Sequence, residues 1–590
     1  MNFSELSDTL ARLSETTKRL EMISILAELF KKTDPDVIDK VVYMIQGKLY
    51  PDYVGIETGI AEKTAAKVIA NVSGVSIAKV EELASKLGDL GDVAEKLLNK
   101  KAQVTLFSEQ LTVEKVYSAL DKTARTTGSG AQEMKQKILS GLLSESKSNE
   151  AKFLIRFVIG TLRLGVADYT ILDGLAQAFS GGKDSRNLIE RAYNVSSDLG
   201  LVAKVLSKGG KNALNSFSIS VGRPIRPMLA ERLTTAQEVV EKMKGEVSVE
   251  YKLDGERVQI HKNRTDILLF SRRLEKITHH YPDVVSAAKK NLVFDVGIVE
   301  GEIVAINQDT GELRPFQELM HRRRKYEVEK AMEGIPTVVY LFDILSLKGR
   351  DLTQQHYHVR RKLLIENLKE DISIRVVPNI ITSKPEEIEK FMNKAISDGC
   401  EGVVVKDLNG TYRAGAREFS WIKLKREYRS ELADTLDLVI IGAFYGKGKR
   451  TGKYGTFLLA AYDDDKDIFE SISKVGTGFT DENLDKFKRL LNQYKIKHAH
   501  SRVNSKIEPD VWFIPQVVIE VAASEITFSP IYTAGYNKLR KDAGLALRFP
   551  KFTGRIRDDK NPEDATTVKE VIELYQKRLS RIQPASSDNL

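Results

Sequence analysis

Residues 250–259 read EYKLDGERVQ, placing a lysine, three carboxylates, a glycine and an arginine within a few positions of one another. A lysine amine attacks an electrophile only when neutral, so a reactive lysine needs burial or neighbouring cations to lower its pKa. The stretch alternates like a β-strand, which puts Glu250, Lys252 and Asp254 on one face. Gly255 would let the chain turn so that Arg257 returns toward the same pocket. The chemistry available to such a group is nucleophilic catalysis by Lys252. The same residues also read as a charged, solvated strand edge, and one motif leaves both readings open.

Six further stretches follow in order: SRR at 271–273, EGEI at 300–303, LFDIL at 341–345, EGVVVK at 401–406, WIKLK at 421–425 and RFPKFTGRIRDDK at 548–560. With KLDGER at 252–257 they resemble the nucleotidyltransferase superfamily of ATP-dependent DNA ligases, RNA ligases and mRNA capping enzymes. RFVIGTLRLGV at 156–166 and RPIRPMLA at 223–230 are similar to the archaeal and eukaryotic replicative DNA ligases within it, so the resemblance covers nearly the whole chain.

That resemblance implies that Lys252 attacks the α-phosphate of ATP, releasing pyrophosphate and keeping AMP as a phosphoramidate. AMP would then pass to the 5′-phosphate of a nick in double-stranded DNA, where the 3′-hydroxyl displaces it. Arg257 and Arg272 would hold phosphate or ribose oxygens. Glu250 would accept from the adenine amino group, with Phe342 stacked on the ring. Glu302 and Glu401 are implied as oxygen ligands for ribose hydroxyls or Mg²⁺. Lys406, Arg417, Lys423 and Lys425 would supply positive charge near the triphosphate, and Asp254 completes the first motif. Arg557 and Lys560 would act from a C-terminal barrel that closes on the nucleotide for the first step and leaves for the later ones.

Each of these residues has a plainer reading. Phe342 lies in an apolar strand that would ordinarily be core, Glu302 reads as a solvated strand residue, and Lys423 and Lys425 as one face of an edge strand. Arg156 and Arg163, seven positions apart, would share a helix face and track a phosphate backbone, or pair with surface carboxylates. In AQVTLFSEQ at 102–110, Gln103, Leu106 and Phe107 resemble the short motif of partners of the replication sliding clamp; packing of Leu106 and Phe107 into their own domain explains them equally. HRRRKYEVEK at 321–330 reads as a solvated helix face or a DNA contact, and GKGKRTGKYG at 446–455 as a basic turn between strands.

The elements that must position these residues fall into three regions. The first two hundred residues repeat apolar positions at helical spacing, as in EMISILAELFKK and EMKQKILSGLLSES, giving an all-α DNA-binding domain over 1–215. Residues 216–427 alternate short β-rich runs with charged helical segments: an α/β adenylation domain. Residues 428–590 carry hairpin-like strands and glycine-rich turns, an OB-fold β-barrel closing on a helix with Val568, Val571, Ile572, Tyr575, Leu579 and Ile582 on one face.

At 590 residues the chain needs several cores. Lysine and arginine exceed aspartate and glutamate by nine, which suits a polyanionic partner. The single cysteine, Cys400, excludes a disulfide framework and the cysteine-based zinc module expected of an NAD-dependent DNA ligase; it reads as a small core residue. No signal peptide or membrane span is visible, so a cytoplasmic monomer is expected. A capping enzyme or RNA ligase would not account for the helical region, and a clamp-tethered scaffold with an inactive pocket would not need the intact lysine and glutamates.

Overall fold

The computed structural model describes residues 1–99, 110–180, 183–306, 313–314, 316–320, 322, 334–425, 435–446, 450, 452–523 and 525–580. The chain divides into two compact units, 1–81 with 90–425 and 82–89 with 426–590. Gln103, Leu106, Phe107 and Ile582 lie outside the described residues, as do all but Arg322 of the 321–330 stretch.

In the first unit, the regular elements described between residues 3 and 213 are helices, from Phe3–Glu15 to Leu199–Ala213. Their apolar faces meet in the way the sequence periodicity requires: Met22, Ile23, Leu26 and Phe30 of Arg19–Lys32 are buried, as are Ile171, Leu172 and Leu175 of Asp168–Phe179. Gly174 lies where a Cβ would come within 2.8 Å of Leu26 Cβ.

Two sheets follow. Their strands are β1 (Leu229–Arg232), β2 (Val247–Lys252), β3 (Glu256–Asn263), β4 (Asp266–Ser271), β5 (Val296–Ile306), β6 (Leu313–Arg314), β7 (Thr337–Leu347), β8 (Arg350–Asp351), β9 (Ile374–Val376), β10 (Asn379–Thr382), β11 (Gly402–Asp407) and β12 (Arg417–Lys425). One sheet has the order β1-β12-β11-β2-β10; the other runs β4-β3-β5-β7-β8, with β6 on β5 and β9 on β7.

Alternation decides what each sheet presents. In the first, Val249, Val403, Val405, Ile422 and Leu424 point to a core completed by Val239 of helix Ala236–Met243 and Ile388 and Met392 of helix Pro385–Ser397. Each such side chain contributes roughly 1.5–3 kcal/mol by leaving water, so a one-residue slip, which would exchange the faces, is strongly opposed. Cys400 is buried in this core. In the second sheet, Val258, Ile260, Val299 and Leu341 face helices Pro282–Asn291 and Tyr357–Glu366. The remaining faces carry Lys252, Lys423 and Lys425 in the first sheet and Arg257 and Glu302 in the second.

The second unit is a curled, mainly antiparallel sheet of the OB type, built from β13 (Leu436–Tyr445), β14 (Tyr454–Asp463), β15 (Ile468–Val475), β16 (Lys495–Ile496), β17 (Val503–Asn504), β18 (Val511–Phe513) and β19 (Val518–Ala522). A hairpin of β20 (Glu525–Ser529) and β21 (Gly544–Arg548) and a last strand, β22 (Lys551–Ile556) on β19, complete it. Helix Asp481–Asn492 plugs its core with Leu484, Phe487 and Leu491, and Val568, Val571, Ile572 and Tyr575 of helix Val568–Ser580 pack on the same cluster. Arg450 and Lys453, from the basic turn between β13 and β14, bond Gly476 O and Asp485. No helix among the described residues is long and apolar enough to cross a membrane.

Candidate active site

Register across β2, β11 and β12 sets out the charged face in rows. Lys252 stands opposite Gly402, and Gly402 opposite Lys425; one row along are Glu250, Val404 and Lys423; in the next, Ser248, Lys406 and Trp421. Cross-strand neighbours point to the same side, so three strands distant in sequence place Glu250, Lys252, Lys406, Lys423 and Lys425 together. Gly402 is required there: a Cβ would lie 2.2 Å from Leu424 O.

Lys252 Nζ is 2.5 Å from Glu401 Oε2, and Lys425 Nζ reaches the same oxygen at 2.6 Å. Burial works to raise the Glu401 carboxyl, but the two ammonium groups outweigh it and hold the pKa below the usual carboxylate range. Lys423 is shifted down by burial and by the positive charges of Arg417, Lys252, Lys425 and Arg272. These five cations therefore act on one region. Arg417 also donates to Ala230 O at 3.2 Å, and Arg272 is exposed just beyond β4.

The second sheet supplies the facing groups. Arg257 on β3 lies directly opposite Glu302 on β5. Burial pushes the Glu302 carboxyl up to about 7, with Lys252 and Arg257 opposing and Glu401 and Asp254 adding to the shift. Asp254, in the turn after β2, is pushed up to about 6 by burial and by Glu401, although Phe316 N–H donates to it at 3.2 Å. Gly255 sits in this turn without a left-handed backbone. Its reason for being glycine is proximity, since a Cβ would meet Ile303 O at 2.2 Å. Arg257, like Lys252, acts on the Glu302 carboxyl. It donates from Nη2 to Glu300 Oε2 and from Nη1 to Met228 O, both at 2.8 Å, while its buried Nε has no hydrogen-bond partner.

Phe342 on β7 is half-buried rather than core, its ring 5.3 Å from the Arg257 guanidinium and 4.8 Å from Lys406 Nζ, with Trp421 edge-on at 6.1 Å. Beneath it Glu250, 2% exposed, takes Lys406 Nζ on Oε2 at 2.7 Å, and Arg361 Nη1 at 2.8 Å and the Tyr357 hydroxyl on Oε1. A buried carboxylate persists only with such partners. Burial lowers the Lys406 ammonium below its usual range despite Glu250. Three of the roughly four lone-pair sites of Glu250 are thus used, leaving one on Oε2.

Sequence reasoning missed Glu300, Trp421, Tyr412, Tyr357 and Arg361. Glu300 and Trp421 stood inside quoted motifs, two positions from Glu302 and Lys423 and therefore on the same faces. Tyr412, Tyr357 and Arg361 carried no such signal. The helix premise for Arg156 and Arg163 is corrected: the helix Ser148–Val158 ends before Gly160 at φ 71°, so Arg163, at φ 56°, is not on it. Arg156 is buried and pairs with Asp92 at 3.0 Å. In the second unit, Arg557 binds Asp437 and, at 2.7 Å, Asp559, and Lys560 reaches Asp437 at 2.8 Å.

Comparison with known proteins decides the family. Residues 2–176 match the family described as DNA ligase N terminus, 227–425 the ATP dependent DNA ligase domain, and 450–560 the ATP dependent DNA ligase C terminal region. The chain belongs to the ATP-dependent DNA ligases. It is 52% identical over 584 residues to DNA ligase 2 of Thermofilum pendens, covering 97% of both chains. To the DNA ligase of Nitrosopumilus maritimus it is 50% identical over 576 residues, covering 98% of both. Its fold is similar to a solved structure called Pmar-Lig_Pre., with a TM-score of 0.55 at 18% identity, over 94% of this chain and 99% of that one. A DNA ligase of this family uses ATP to seal nicks in duplex DNA, the reaction that serves replication and repair.

Proposed function

We propose that this DNA ligase forms its covalent intermediate on Lys252 and that the cleft between the two sheets is its nucleotide site. The observation carrying this is the convergence of Lys252, Lys423 and Lys425 with Arg257, Glu302 and Phe342 from separate strands. In the first step the Lys252 amine attacks the α-phosphorus of ATP and pyrophosphate leaves. Before it attacks, the ammonium must lose a proton to solvent, and Glu401 Oε2, 2.5 Å away, holds the group in place.

The purine stacks on Phe342, with the remaining Oε2 site of Glu250 accepting from its amino group. Arg257 and Arg272 bind phosphate or ribose oxygens, and Arg417, Lys423 and Lys425 offset the triphosphate charge. Lys406 holds Glu250 in place. Arg557 and Lys560 act on the nucleotide during this step, and Asp559 and Asp437 orient them.

Glu302 and Glu401 suit Mg²⁺: both are hard oxygen donors. Bound there, Mg²⁺ would neutralise charge on phosphate oxygens. The enzyme works as a monomer on nicked duplex DNA, with Arg163 offering its charge to the DNA backbone and Gln103, Leu106 and Phe107, on their resemblance to the clamp-binding motif, as its contact with the sliding clamp.

The test is incubation with α-labelled ATP, a denaturing gel and a chase with nicked duplex. The wild-type chain is expected to give a labelled band that discharges onto DNA, and Lys252→Ala none. Labelling that survives in Lys252→Ala would overturn the assignment.

A further inference from the structure

The segment joining the helical region to the two sheets is tied to β3 by side chains with no role in the steps above. Gln259 lies on the same face as Arg257 and is 4% exposed. Its amide grips the backbone of Ile225 from both sides, Oε1 accepting from Ile225 N–H at 2.9 Å and Nε2 donating to Ile225 O at 2.6 Å. The same Nε2 donates to Glu300 Oε1 at 3.1 Å. Beside it, fully buried His261 accepts at Nδ1 from Gly222 N–H at 3.1 Å, and burial pushes its imidazole down to about 3, keeping it neutral.

Three residues further, the segment reaches the nucleotide site. Met228 O accepts from Arg257 Nη1, and Met228 N–H donates to the Tyr412 hydroxyl at 3.0 Å. That hydroxyl donates at 2.9 Å to Glu300 Oε2, the oxygen that also takes Arg257 Nη2. The guanidinium is therefore fixed at two nitrogens by groups that Gln259 holds, and its remaining nitrogen, Nε, is the buried donor without a partner. At its other end the segment is bound to the helical region, Arg226 N–H donating to Asn194 O at 2.9 Å and Ser197 Oγ to Pro224 O at 2.6 Å. Hydrogen bonds at fixed directions specify one geometry for the two anchored nitrogens, where an apolar contact of equal area would allow several.

We infer that Gln259 is a positioning residue for self-adenylation: through Ile225–Met228 and Glu300 it fixes the direction in which Arg257 presents Nε–H to the nucleotide. This rests on the reading of Arg257 as a nucleotide contact. Gln259 touches no substrate itself, so its effect must pass through Arg257.

The experiment is single-turnover formation of the lysine adduct by the full chain, for Gln259→Met, Tyr412→Phe, Arg257→Ala and the Gln259→Met/Arg257→Ala double variant, with thermal midpoints measured in parallel. Gln259→Met is expected to slow adduct formation about tenfold, and Tyr412→Phe, which removes one oxygen, to slow it in the same direction. In the Arg257→Ala background Gln259→Met should add nothing, because the two act on one interaction. An effect of Gln259→Met that persists undiminished in the double variant, or that follows its loss of thermal stability in degree, overturns the inference, as does wild-type adenylation by both Gln259→Met and Tyr412→Phe. If Arg257→Ala alone adenylates normally, the reading of Arg257 falls first and the inference with it.

Discussion

Two ammonium groups share one oxygen of Glu401, and two carboxyls beside them, Glu302 and Asp254, sit near 7 and 6. Both of these carboxyls are raised, so each is protonated below its pKa and ionised above it. A divalent cation binds the ionised form and competes with the proton. Self-adenylation should therefore fall as pH drops through about 7, and raising Mg²⁺ should move that midpoint to lower pH. Glu302→Gln should abolish the Mg²⁺-dependent movement. A pH–rate profile at two Mg²⁺ concentrations checks this, and a midpoint indifferent to Mg²⁺ would exclude Glu302 as a ligand.

At the scale of elements, the site depends on how closely strands approach. Gly255 lies where a Cβ would stand 2.2 Å from Ile303 O, and backbone cannot move aside as a flexible side chain can. Gly255→Ala should cost about 1–3 kcal/mol of stability by overpacking, and should slow adduct formation by parting Lys252 from Glu302. Thermal melting and adduct labelling together measure it; an alanine variant with wild-type melting and labelling would show that β5 can yield. Strand alternation alone put Lys423 and Lys425 on one face of their strand, and that face lies across β11 from Lys252. The partners of Glu250 were not legible: Tyr357 and Arg361 come from a helix more than a hundred positions away, and nothing local in their spacing marks them. The misjudged continuation of the helix from Arg156 to Arg163 had a local signal, since Gly160 stood in RFVIGTLRLGV as a helix stop. Gly255 was legible as necessary, but its reason, a close strand rather than a turn, required the register.

At the scale of the whole chain, a ligase must run three displacements at phosphorus, and only the first involves a triphosphate. Arg557, clamped by Asp437 and Asp559, belongs to that first step in the present account. Arg557→Ala should impair self-adenylation by at least tenfold more than sealing of a pre-adenylated nick; equal loss in both assays would contradict the assignment. The central claim concerns which lysine carries AMP, because Lys252 and Lys425 bind the same carboxylate oxygen and Lys423 lies on the same face. The most direct measurement is mass-spectrometric mapping of the full-length protein after reaction with ATP. The account predicts AMP on the peptide containing Lys252 and on neither Lys423 nor Lys425; adduct on either of those lysines, with Lys252 unmodified, would contradict it.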